Sequence, residues 1–77
     1  MRVRVYSTNA CPFCVALKNF LLENNIKFDD IDVSENKAAQ KEMIDKSNQM
    51  GVPVTDIDGE IIIGFDQDKI KKLLKIE

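Results

Sequence analysis

Two cysteines, Cys11 and Cys14, stand two residues apart in Cys11-Pro12-Phe13-Cys14, and they are the only cysteines in the chain. On the first turn of a helix, this spacing lets two sulfurs approach each other. Unsatisfied N–H groups and the positive end of the helix dipole ease ionisation of a thiol placed there. The thiolate is the attacking form of sulfur, so the pair reads as a reactive thiol with a partner. Two duller readings stay open from the residues alone: a permanent disulfide, and half of an intermolecular zinc or iron–sulfur site. The disulfide would close too short a loop to restrict the unfolded chain much. For zinc, the chain has no histidine and no further cysteine with which to complete a site by itself.

The pair needs elements to position it. Arg2 to Ser7 alternates polar groups with Val3 and Val5, the pattern of a half-buried strand. Thr8-Asn9-Ala10 is a short loop, and Pro12 suits a first helical turn, where its missing N–H costs nothing. Leu17, Phe20 and Leu21 form one apolar stripe, and Asn24-Asn25 marks the stop. Ile26 to Val33 is extended, which makes a strand–helix–strand unit with parallel strands. Ser34 is the expected N-cap of a second helix through Ser47, with Ala38, Ala39, Met43 and Ile44 on its apolar side.

Farther on, Pro53 opens a strand where a missing ladder donor is tolerated. Val54–Ile57 and Glu60–Ile63 flank Asp58-Gly59, a two-residue hairpin signal of type I′. Asp66 caps a last helix in which Ile70, Leu73 and Leu74 face inward. The order is βαβαββα, an α/β chain with a four-stranded mixed sheet and helices on both faces. Asp29, Asp30 and Asp32 read as a solvated strand end, and Tyr6 as a packing residue near the site.

A chain of 77 residues is expected to form one domain over residues 1–77, burying about 60% of the surface its unfolded form exposes. Its formal charge of −2, with both signs interspersed, gives no basic stripe for nucleic acid or an anionic membrane surface. The N-terminal stretch lacks a signal-peptide pattern and no run is long enough to span a bilayer, so a cytoplasmic protein is expected. In a reducing cytosol, a lone close pair of cysteines is more often catalytic or metal-binding than a structural staple.

Three segments together resemble the glutaredoxins of the thioredoxin superfamily: Cys11-Pro12-Phe13-Cys14, Gly51-Val52-Pro53-Val54 and Gly64-Phe65-Asp66. With Met50 and Asp56 to Glu60, the likeness narrows to the short bacterial glutaredoxin-like YruB group, beside the NrdH redoxins. The resemblance implies a thioredoxin-like fold and thiol–disulfide oxidoreductase activity. Cys11 would be the nucleophile and Cys14 the resolving thiol. Pro12 would tune a dithiol whose potential in glutaredoxins is about −200 to −230 mV. Pro53 would be cis, with Val52 pairing an extended substrate, and Phe13, Gly64, Phe65 and Asp66 would add glutathione or substrate contacts. The implied protein is a monomer with no tightly bound cofactor and with glutathione as co-substrate. Its partners would be glutathione or a thioredoxin reductase, together with disulfide-containing or glutathionylated proteins. The alternatives are an NrdH-like electron donor reduced by a thioredoxin reductase and an iron–sulfur or metal-binding dimer using Cys11 from each chain. Thr8 stands where glutathione-binding relatives commonly carry lysine, while Gly51 and Phe65 also depart from the common pattern.

Overall fold

A computed structural model of the chain describes residues 2–75. The elements are β1 (Val3–Ser7), α1 (Pro12–Glu23), β2 (Asp29–Asp32), α2 (Lys37–Ser47), β3 (Val54–Ile57), β4 (Glu60–Ile63) and α3 (Gln67–Leu74). The strands form one four-stranded sheet in the order β2-β1-β3-β4. β1 runs parallel to β2, with Val5 opposite Asp30, and antiparallel to β3, with Val5 opposite Thr55. The β3–β4 pair is antiparallel. This is the expected thioredoxin-like arrangement.

Each sheet face carries its own core. On one, Val3, Val5, Ile57 and Ile62 meet Leu17 and Leu21 of α1 and Ile70 of α3. On the other, Tyr6, Val33 and Val54 enclose Met43 of α2. β1 is therefore more than half-buried: it lies inside the sheet with both faces covered, and Tyr6 and Ser7 are buried alongside Val3 and Val5. Of the expected apolar side of α2, Ala38 is exposed, while Ser47 is buried with its hydroxyl donating to the Met43 carbonyl.

Local sequence explains the ends of the elements. Asn25 adopts a left-handed φ of 59°. The Ile26 N–H then returns to the Leu21 carbonyl at 2.9 Å and the Asn25 N–H to Leu22 at 3.1 Å, a Schellman stop for α1. With Ile26 held there, regular pairing in β2 begins only at Asp29. Asp58 and Gly59 take positive φ values of 50° and 94°, as a type I′ turn requires. The cap of α2 is Asn36, whose Oδ1 accepts the Ala39 N–H at 3.0 Å, and not Ser34. Ser34 is held back because its N–H and hydroxyl both donate to Asp32 Oδ1. The aspartates of β2 are likewise more than a solvated strand end, since Asp29 pairs with Arg2 at 3.0 Å and Asp30 with Lys18 at 2.9 Å. No helix among the described residues is long and apolar enough to cross a membrane.

Candidate active site

β1 delivers the chain to a short loop at one end of the sheet, and α1 starts there with Pro12 as its first residue. Cys11 is the N-cap of α1. Its Sγ accepts the Cys14 N–H at 3.2 Å, as a capping oxygen would, and lies 3.9 Å from the Val52 carbonyl oxygen. The two sulfurs differ in exposure: Cys11 is half-buried and Cys14 fully buried, and both are free thiols. Burial pushes the Cys14 thiol up to about 11, and the adjacent Cys11 adds to the rise. The Thr8 backbone and the Lys18 charge pull weakly the other way.

The Val52–Pro53 peptide is cis, and Pro53 is buried. Its carbonyl accepts the Gly64 N–H at 2.9 Å, tying the exit of β4 to the segment that faces Cys11. A shallow groove of about 310 Å³ results, lined by Phe13, Val52, Pro53, Gly64 and Phe65. Phe13 leaves two-thirds of its surface in solvent. Phe65 is anchored edge-on against Phe20, with ring centroids 5.9 Å apart. Asp66 lies in an adjoining recess with Ile63, Phe65, Gln67 and Asp68. Its Oδ1 accepts the Lys69 N–H at 3.2 Å, so the carboxylate serves as the cap of α3. Tyr6 packs on the opposite, α2 side of the sheet, and its hydroxyl donates to Glu42 Oε1 at 2.5 Å.

Gln49 was not legible as a site residue. Its side-chain amide grips both sides of Gly51, accepting the Gly51 N–H at 2.7 Å and donating to the Gly51 carbonyl at 2.9 Å. A Cβ at Gly51 would meet Gln49 Oε1 at 2.6 Å, so a side chain there would have to displace the Gln49 amide from this clamp. Only the dipeptide spacing hints at the clamp, and that signal is weak. No group of three or more His, Cys, Asp or Glu side chains is placed to hold a metal among the described residues.

The glutaredoxin family pattern matches residues 3–62, most of the chain. The chain belongs to the glutaredoxin family. Glutaredoxins are thiol–disulfide oxidoreductases, and the Cys11–Cys14 pair is consistent with that chemistry. A glutaredoxin-like 8.6 kDa protein from a rubredoxin operon of Clostridium pasteurianum is 42% identical over 73 residues, covering 95% of this chain and 97% of that protein. The crystal structure of the thioredoxin-like protein BC3987, mutant T8A, superposes with a TM-score of 0.94 at 36% identity, covering 99% of this chain and 97% of that one. The glutaredoxin-like NrdH-redoxin from Escherichia coli, described as having a thioredoxin-like activity profile, superposes with a TM-score of 0.86 at 26% identity, covering 95% of each chain.

Proposed function

We propose that this glutaredoxin is a dithiol oxidoreductase in which Cys11 attacks and Cys14 resolves. The unequal burial of the two sulfurs is the observation that carries the reading: only Cys11 is open to an incoming disulfide. As thiolate, Cys11 forms a bond to one sulfur of a protein disulfide or glutathione mixed disulfide, and the other sulfur leaves as a thiolate that takes up a proton. Cys14 then gives up its proton and attacks Cys11 Sγ, releasing the substrate as a thiol and leaving a Cys11–Cys14 disulfide. Two electrons have passed from the dithiol to the substrate. The fixed separation of the cysteines makes the second attack intramolecular, which favours it strongly over external competitors.

Substrate lies in the groove of Phe13, Val52, Pro53, Gly64 and Phe65, with the Val52 backbone pairing an extended segment as an added strand. Glutathione is the co-substrate, and Asp66 meets its amino group. The protein works as a monomer in the cytoplasm, where a reducing thiol pool returns the dithiol. A second reading has a thioredoxin reductase as electron source. It is favoured by Thr8 in place of a lysine, by the exposed apolar side chains of Phe13, Met50 and Ile63, and by the likeness to NrdH-redoxin.

Reducing the oxidised protein with glutathione and with a thioredoxin reductase in parallel tests both readings. Faster reduction by glutathione supports the first and faster reduction by the reductase the second. Unchanged disulfide turnover in Cys11→Ser contradicts both.

A further inference from the structure

Resting on the exchange mechanism above, we propose that Lys18 is a positioning residue for the resolving step. Its ammonium, held by Asp30 one helical turn beyond Cys14, stabilises the negative charge that the Cys14 sulfur carries as it attacks. Residues four apart on a helix are neighbours on one side, and Cys14 and Lys18 have this spacing on α1.

Lys18 is the only cation of α1, and only 23% of its side chain is exposed, unusual for a lysine. Its Nζ lies 2.9 Å from Asp30 Oδ1. The buried Ser7 hydroxyl donates to that same oxygen at 3.3 Å, and Asp30 is fixed by pairing with Val5 in the sheet. A lysine held this way is kept against the sheet, at an oxygen shared with Ser7 where β1 ends and the chain turns toward the cysteines, instead of sampling solvent.

Around Cys14, the charges of α1 that reach it are those of Cys11, which opposes its ionisation, and Lys18, which favours it. The loop after β1 contributes the uncharged Thr8 backbone, and the segment Val52-Pro53-Val54-Thr55 carries no charged side chain. From β2, Asp30 holds the Lys18 ammonium, while Asp32 is kept ionised first by the Ser34 hydroxyl and N–H and only lastly by the Lys18 charge. Removing Lys18 therefore does two things together: it deletes a charge that acts favourably on Cys14 and leaves Asp30 without its cation.

In the step itself, the Cys14 Sγ–Cys11 Sγ bond forms and the bond from Cys11 Sγ to the substrate sulfur breaks. The departing thiolate takes the electron pair and picks up from solvent the proton that Cys14 released.

The test uses four forms of the full chain: native Lys18, Lys18→Met, Lys18→Arg, and Lys18→Met combined with Asp30→Asn. In a Cys11→Ser background, thiolate absorbance at 240 nm follows the titration of Cys14. With both cysteines present, stopped-flow mixing with a peptide disulfide gives the resolving rate, and a Cys14→Ser background gives the rate of the first attack. Lys18→Met is expected to move the Cys14 titration upward and to slow resolution about three- to ten-fold near pH 7.5. The first attack should change less than about two-fold. Arginine should restore both the titration and the rate, and Asp30→Asn should recover part of the methionine defect. Native resolution with an unmoved Cys14 titration in Lys18→Met would overturn the role of Lys18 alone. Failure of the native protein to form a Cys11–Cys14 disulfide would overturn both this role and the exchange mechanism.

Discussion

Cys11 and Cys14 are the same residue type in unequal surroundings, Cys11 half-buried and Cys14 fully buried. Burial holds the Cys14 thiol protonated to about 11, whereas an unfolded chain gives up this proton near the ordinary cysteine value. Between those limits the folded reduced protein binds more protons than the unfolded one, so its stability falls as pH rises. The reduced protein should lose about 2–3 kcal/mol relative to the oxidised protein from about pH 9 through pH 11, read by urea unfolding of both forms. Parallel stability curves would contradict this. A second buried group makes a simpler case: Thr55 Oγ1 is buried with no hydrogen-bond partner among the described residues. Valine keeps the shape and removes the orphaned hydroxyl. Thr55→Val should leave stability unchanged or raise it by up to about 1–2 kcal/mol in the same assay.

Helix ends and turns set the geometry of the site, and their costs are local. Asn36→Ala removes the cap of α2 and should cost about 1 kcal/mol, while Ser34→Ala, outside the helix, should cost less. Chemical denaturation of the two variants distinguishes them. Strand and helix order, the Asp58-Gly59 hairpin, the Asn24-Asn25 stop and the Asp66 cap all follow from short-range patterns, and each is present. Two serviceable caps stood close together at Ser34 and Asn36, and only Asp32, folding back on Ser34, decided between them. The groove residues were recognisable because three motifs resemble one family. Lys18 with Asp30 is a different matter: the partners come from α1 and β2, and neither is remarkable in its own segment. The Gln49 clamp is short-range but specific to one loop conformation.

At the scale of the whole molecule, α2 is tied to the sheet by charge as well as by Met43. Lys46 Nζ lies 2.7 Å from Asp56 and 3.1 Å from Glu42, and Tyr6 joins the same network. Burial works to raise the Asp56 carboxyl, but the Lys46 contact and the Gly59 N–H hold it below its usual range. The Tyr6 hydroxyl and then Lys46 do the same for Glu42. Carboxylates held low stabilise the fold above about pH 4, and that contribution is lost as they protonate below it. Lys46→Met should therefore lower stability at neutral pH and flatten its fall in acid, as followed by thermal unfolding at a series of pH values. An unaltered acid profile would show that the network does not couple α2 to the sheet.

The proposed exchange has a half-buried, reachable sulfur attack and a fully buried one resolve. Mass spectrometry after mixing with a glutathionylated peptide tests it most directly. The native protein should end as a Cys11–Cys14 disulfide, Cys14→Ser should stop at a mixed disulfide carried on Cys11, and Cys11→Ser should form no adduct. A mixed disulfide on Cys14, or continued turnover without Cys11, would contradict the account.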